Sequence, residues 1–333
     1  MTDLSIIAIG RNEGERLKAC LRSLPQDATR IYVDSGSTDD SVAFAETQGV
    51  HVVTLPPASR FTAALARNAG LGVAARGNED GFVQMVDGDC ALDAGWLAHA
   101  TAAMRADPTL AVVFGRRRER FPDKSIYNRL CDIEWDVPVG EARSCGGDAL
   151  FRLAPLLAAK GYDPTLIAGE EPDLCLRLRA AGWRIRRLDA EMTLHDAAIT
   201  TFGQWWRRTE RSGHAFAELY ARHGAAADPH WRRESHSIML WGLALPVAIV
   251  AAGIAFGWVA AAVLAMAVPA QIARIAWRKR REGHAPRVAL AQGVFLVIGK
   301  AAQAKGLLRF HLGRFTGRRA GLIEYKGEGS QPA

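Results

Sequence analysis

Between Ile238 and Ala273 the chain carries no charged side chain. This run constrains the fold most, because few architectures can house it. As one helix at 1.5 Å per residue it would be about 54 Å long, nearly twice the hydrocarbon core of a bilayer. Gly253 and Gly257 lie near its middle, and Pro246 and Pro269 interrupt its two halves. Two short spans joined by a tight turn fit better than one. Arg232 and Arg233 precede the run, and Arg274 and Arg278–Arg281 follow it. Basic flanks stay on the cytoplasmic side, so both ends are expected there, as a hairpin requires. The alternative is a pair of buried helices in a soluble domain.

The N-terminal part has the opposite character. Short apolar runs at 5–9, 30–33, 50–55, 82–87 and 111–115 alternate with helical spacing over 17–24, 39–48, 61–75 and 93–105. Strand–helix alternation with short connections predicts βαβ units and an α/β fold with a mostly parallel, doubly wound sheet. Ligands of such sheets sit beyond the carboxyl ends of the strands. Asn12, Asp34 and Asp87 fall at strand ends and are expected to face one crevice. Residues 116–150 read as irregular and polar. Helices are expected at 153–160 and 172–181, and a strand at 184–188 leading towards His195. A basic amphipathic helix is expected at 204–223. The predicted division is a catalytic domain over 1–225 and a membrane-associated region over 226–333. The latter holds the hairpin at about 238–273 and an interfacial helix, or a third short segment, at about 287–312.

Composition excludes several classes. Apolar residues make up 49% of 333, so a sizeable core is expected rather than disorder. Five cysteines are dispersed with no C-x-x-C pair, which argues for a reducing compartment and against a disulfide framework or a zinc knuckle. No basic stretch followed by an apolar core opens the chain, so a cleaved secretory signal is not expected. The net charge is +7. Its densest run, Arg278–Arg281, directly follows the apolar segment, and no RNA-binding strand signature is present. The charge therefore points to a membrane surface and not to nucleic acid.

Residues 82–90 read FVQMVDGDC. A buried strand ends there in Asp87 and Asp89, whose spacing puts both carboxylates on one side. Two hard oxygen donors can hold a divalent cation, which can hold a diphosphate. Taken alone, Asp-Gly is also a common turn. In GEEPDL (169–174), Pro172 suits the first turn of a helix. Glu170, Glu171 and Asp173 would then lie at a helix N-terminus, where the dipole favours carboxylates. Helix capping with an Asp173–Arg177 pair is the plain reading; a general base is the functional one.

Taken in order, RNEGE (11–15), VDSGSTDDS (33–41), ALARNAG (64–70), VDGDC (86–90), SCGGDALFR (144–152) and GEEPDLCLRLRAAGW (169–183) form a series. It resembles the family-2 glycosyltransferases, inverting enzymes built on a Rossmann-like nucleotide-sugar fold of type A. The resemblance covers about residues 3–215. It implies that Asn12 and Glu13 lie beside the nucleotide, that Asp34 reads the base or ribose, and that Arg67 and Asn68 meet the base and diphosphate region. It makes Asp87 the ribose-side aspartate and Asp89 a metal ligand, with His195 completing the site for Mn²⁺ or Mg²⁺. Glu171 or Glu170 becomes the base; the family usually carries Glu-Asp where this chain has Glu-Glu. Gly147 and Asp148 fall in the loop that closes on donor and acceptor, beside Asp173. Gln204-Trp205-Trp206-Arg207-Arg208 is similar to the Q-x-x-R-W signature of processive synthases, but Arg208 stands where Trp is expected. Trp205 is then an acceptor-side residue and Arg207 a diphosphate or lipid-phosphate ligand; a membrane-surface helix is the plain alternative.

The implied function is metal-dependent, inverting transfer of a sugar from a nucleotide-diphosphate sugar. The acceptor would be a carbohydrate or a lipid-linked molecule at the cytoplasmic face of the inner membrane, in cell-surface glycan or glycolipid synthesis. Two other readings remain at this stage: a sugar nucleotidyltransferase, and a non-catalytic membrane scaffold with a degenerate site. Gly10-Arg11-Asn12-Glu13 is not the phosphate loop that the first of these requires.

Overall fold

The computed structural model describes residues 3–56, 61–76, 80–226 and 228–317. The chain divides into two compact units, one of residues 1–166 with 170–198 and one of residues 167–169 with 199–333. The division falls ahead of the basic helix, which groups with the C-terminal unit.

In the first unit, strands β1 (Leu4–Gly10), β2 (Thr29–Asp34), β3 (His51–Thr54) and β4 (Phe82–Asp87) pair in parallel in the order β3-β2-β1-β4. Helices α1 (Glu15–Ser23), α2 (Ser41–Thr47) and α3 (Ala63–Ala74) connect them. Ile6, Ile7 and Ala8 of β1 and Val83 and Met85 of β4 are inaccessible, so the strands read as continuous apolar runs, as parallel strands covered on both faces do. Register aligns Gly10 with Asp34 and Ile9 with Asp87. The carboxyl ends of the three strands are therefore level.

The second half of the sheet is mixed. After β5 (Cys90–Leu92), α4 (Trp96–Ala106) leads into β6 (Leu110–Glu119). Then come α5 (Ile126–Glu134), β7 (Gly140–Glu141), β8 (Ala149–Arg152), α6 (Leu153–Ala158), α7 (Glu170–Ala180) and β9 (Arg184–His195). β8 lies antiparallel between β4 and β6, β9 runs parallel to β6, and β5 pairs antiparallel with β9. The segment 116–150, expected to be irregular, thus contains the end of a ten-residue strand, a helix and the start of a central strand.

In the second unit, α8 (Phe202–His223) begins with a capping box in which Thr201 and Gln204 satisfy each other's backbone. α9 (Pro229–Met239) passes through a π-helical turn at Leu240–Ala244 into α10 (Leu245–Phe256). α11 (Trp258–Ala265) and α12 (Ala267–Arg281) return. Gly257, with φ 83°, makes the reversal, a conformation that L side chains resist. Pro229–Phe256 and Trp258–Arg281 are each long and apolar enough to cross a membrane. Ile254 and Trp258 are at least 80% exposed. α13 (Pro286–Phe315) is a single long helix over the stretch expected to be interfacial. It crosses α8 closely: a Cβ on Gly213 or on Gly306 would strike the backbone of the opposite helix. Lys305 reaches Glu210 at 2.8 Å beside this crossing.

Candidate active site

The level strand ends of the first unit are laced together by their loops. Asn12, at φ 52°, accepts from Thr38 N at 2.7 Å, and its own N–H donates to Ser37 Oγ at 2.9 Å. Gly14 N donates to Asp39 Oδ2. Asp34 is 1% exposed and accepts from Gly36 N, Ser37 N and the Tyr32 hydroxyl, so it shapes the loop after β2. Glu13 pairs with Arg16 at 2.8 Å.

β5 and β9 create the second feature. Their register sets Cys90 opposite His195, which brings the ring to Asp89. His195 Nε2 lies 2.9 Å from Asp89 Oδ2. Ligand atoms of Asp89, Cys90 and His195 all fall within 4.8 Å of one another. Burial, and then the nearby Arg117 guanidinium, hold the His195 pKa down to about 4, so the ring is neutral at neutral pH. Among the described residues its buried Nδ1 finds no hydrogen-bond partner. A neutral imidazole beside a carboxylate, with a lone pair left over, fits a divalent cation of borderline hardness. A second acidic group, Asp87, Cys90 and Asp148, already holds a protein cation. Arg117 stands 2.8 Å from Asp148 Oδ2 and 3.2 Å from Asp87 Oδ2.

The third feature is a buried charge cluster. Arg67, on α3, has a side chain 3% exposed. It donates through Nη2 to Asp87 Oδ1 at 2.8 Å, and through Nη1 to Glu170 Oε1 at 3.1 Å and Glu171 Oε1 at 2.8 Å. The helix carrying these glutamates starts at Glu170, so both sit in its first turn. Burial, together with the neighbouring Glu170 charge, raises the Glu171 pKa to about 7 against the pull of Arg67. Gly147 makes room for this cluster: a Cβ there would lie 2.6 Å from both Arg67 Nη2 and Asp87 Oδ2.

Other residues singled out in the sequence have plainer surroundings. Asp148 accepts from Asp87 N and from the Thr193 hydroxyl and pairs with Arg117, which fixes the end of β4. Asp173 pairs with Arg177 at 2.9 Å, one turn along α7. Asn68 exchanges two hydrogen bonds with the backbone of Tyr162. In the second unit Trp205 is 6% exposed and packs edge-on against Phe295 at 5.0 Å, while Arg207 is exposed.

Several residues went unseen in the sequence. Arg117 lies over the Trp135 ring at 5.6 Å, and that ring is 4.6 Å from His195. Glu119 is buried and accepts from Phe121 N, Ala197 N and Asn128 Nδ2, which secures the backbone beyond His195. Arg117 is the middle of three consecutive arginines, a pattern that reads as solvated charge. The register of β6 against β9 shifts on both sides of Arg116, so strand alternation gives no warning either: Arg116 is buried on Asp132, Arg117 is half-buried, and the exposed Arg118 pairs with Glu191.

Comparison with known proteins gives the family and the fold. The family model described as glycosyl transferase family 2 matches residues 5–143. A pre-mycofactocin glycosyltransferase of Mycobacterium tuberculosis is 26% identical over 289 residues, which cover 82% of this chain and 57% of that protein. The chain thus spans little more than half the length of this relative. An uncharacterized glycosyltransferase of Mycobacterium bovis is 30% identical over 190 residues, covering 54% of this chain and 79% of that protein. A mannosyltransferase of Pyrobaculum calidifontis, solved in complex with GDP-mannose and Mn²⁺, superposes with a TM-score of 0.63 at 19% identity, over 92% of this chain and 87% of that one. This likeness establishes the type A glycosyltransferase fold. By the extent of its match to these relatives and by its fold, the chain belongs to glycosyl transferase family 2.

Proposed function

We propose that this chain transfers a sugar from a nucleotide-diphosphate sugar to an acceptor hydroxyl, with inversion, at the cytoplasmic face of a membrane. The observation that carries the reading is the Glu170–Glu171 pair at the start of α7, with Glu171 held near neutrality. A single displacement needs a base whose pKa lies close to the working pH. The acceptor oxygen attacks the anomeric carbon, its proton goes to Glu171, and the bond from that carbon to the diphosphate breaks. Asn12, Glu13 and Asp34 serve the nucleotide, and Asp87 the ribose side. Asp89 and His195 are the residues that would hold a divalent cation, Mn²⁺ or Mg²⁺. Such a cation, when bound, neutralises the departing diphosphate. The Pyrobaculum mannosyltransferase was solved with a donor and a cation of these classes.

The two apolar C-terminal helices supply the membrane tether. Arg274 and Arg278–Arg281 keep their flanks on the cytoplasmic side. Such a tether suits a carbohydrate or lipid-linked acceptor delivered at that face.

The test uses the full chain in proteoliposomes with UDP-glucose, GDP-mannose and dTDP-glucose, with Mn²⁺ or with EDTA. Release of one nucleoside diphosphate that needs the cation and falls at least a hundredfold in Glu171→Gln supports the reading. Proton NMR of the anomeric centre in the product reads inversion. Turnover that is indifferent to EDTA and to Glu171→Gln contradicts the reading.

A further inference from the structure

The resemblance gives Arg67 to the nucleotide, but its surroundings are those of a different part. Its Nη1 is shared between Glu170 and Glu171 and its Nη2 is bound to Asp87. Its guanidinium lies over the buried Tyr162 ring at 5.4 Å. Gly147 lies so close over the Arg67–Asp87 pair that even a methyl group would collide with it. A guanidinium so enclosed, with both terminal nitrogens engaged by carboxylates, is poorly placed to be the main ligand of a diphosphate.

Asp87 is held from both sides. Arg67 takes Oδ1 and Arg117 takes Oδ2, and Arg117 also takes Asp148. Ion pairs therefore run without a break from the candidate base to the donor-side aspartate. They continue to Arg117, whose neighbour Trp135 rests against His195. Planar, multidentate donation of this kind orients carboxylates in a way that a point charge does not.

We propose that Arg67 is a positioning residue for the base: it orients Glu170 and Glu171 and ties them to Asp87, rather than holding the nucleotide. The proposal rests on the transfer reaction proposed above. Glu171 is faced by Glu170 on its own helix, Arg67 from α3, Asp87 from β4, Cys145 from the loop before β8 (itself 3.6 Å from Cys175) and Tyr162 from the segment after α6. Arg67 is the cation among these. Without it, only a backbone hydrogen bond still opposes burial and the neighbouring carboxylates, and the pair keeps a proton to higher pH.

The test compares wild type with Arg67→Lys and Arg67→Met in the full chain. Three quantities are read: the pH profile of sugar-nucleotide hydrolysis, the KM for the same sugar nucleotide, and the Kd for the matching nucleoside diphosphate with Mn²⁺. In Arg67→Met the acid limb moves up by at least one pH unit and kcat falls about a hundredfold, the usual scale of general-base loss. Arg67→Lys keeps the limb in place and loses about tenfold in kcat, because the charge remains and the fork is gone. Both variants keep KM and Kd within threefold. A Kd raised tenfold or more with an unmoved acid limb would show instead that Arg67 binds the diphosphate, and would overturn the proposal. If Arg67→Met does not fold, the kcat-against-Kd split in Arg67→Lys decides alone. The pH dependence of carbodiimide labelling at Glu170 and Glu171, read by mass spectrometry, needs no turnover. Its midpoint rises in Arg67→Met if the proposal holds, and an unchanged midpoint contradicts it. Failure of wild type to turn over any donor would sink the transfer reading, while the labelling midpoint still judges the role of Arg67.

Discussion

His195 Nε2 lies 2.9 Å from Asp89 Oδ2, although the two residues are 106 positions apart. The antiparallel pairing of β5 with β9 sets Cys90 opposite His195 and so brings the ring to the neighbouring Asp89. His195→Ala and Asp89→Asn should each weaken Mn²⁺ binding by about ten- to a hundredfold or more, read by electron paramagnetic resonance of free Mn²⁺. Wild-type affinity in both variants would place the cation elsewhere.

The raised pKa of Glu171 has a kinetic signature. A base must be deprotonated to act, so kcat should climb with pH and level off above an apparent pKa near 7. A rate already level at pH 5 would remove Glu171 from this role.

The same shift has a thermodynamic sign. Glu171 titrates near 7 in the folded chain against an ordinary 4.5, so the native state binds its proton more tightly. Its contribution is fully present below 4.5 and is lost as pH rises through about 7. His195, and His214 on α8, both held near 4 mainly by burial, have the opposite sign: their contribution is present above 6.5 and is lost as pH falls towards 4. Subtracting the melting curves of Glu171→Gln from those of wild type isolates the first term. The difference should move against wild type by a few kcal/mol, on the order of 1.4 per pKa unit, as pH rises across that window. A difference that favours wild type more at higher pH contradicts the assignment.

Gly147→Ala puts a methyl group into the Arg67–Asp87 contact. Overpacking of this kind costs about 1–3 kcal/mol. The variant should melt lower and lose most of its activity although no charged group has changed. Activity within twofold of wild type would mean that the cluster tolerates spreading.

Val247 is 67% exposed on the first apolar helix. A lysine there should oppose insertion by about 2.5–3.5 kcal/mol, the scale for a charge near the middle of a span. Its membrane-bound fraction should fall in carbonate-washed vesicles, whereas Arg207→Gln should leave that fraction unchanged. Equal partition of Val247→Lys and wild type would speak for helices that do not span.

Legibility followed the range of the interactions. β4 is a buried run ending at Asp87, and α7 opens on carboxylates and a proline, so both are local patterns that survive folding. The reversal at Gly257 was marked by glycine, which alone takes that backbone angle without strain. The segment 116–150 was opaque for the converse reason. β8 is four residues long and gains its place from neighbours on both sides. Arg117 is largely withdrawn from solvent where Asp87 and Asp148, distant in sequence, neutralise it. The engagement of Arg67 with three carboxylates was equally hidden, since it depends on the end of β4 and the first turn of α7 coming within reach of one side chain on α3.

The most direct measurement is the thermal stability of the detergent-purified full chain against UDP, GDP and dTDP, with and without Mn²⁺, in wild type and Asp89→Ala. A ligand at a hundred times its Kd adds about 2.7 kcal/mol. The account predicts a shift of that size for one nucleotide, present only with Mn²⁺ and absent in Asp89→Ala. No shift with any of the three at saturating concentrations, or an equal shift in the variant, would contradict a cation-dependent donor site at Asp89 and His195.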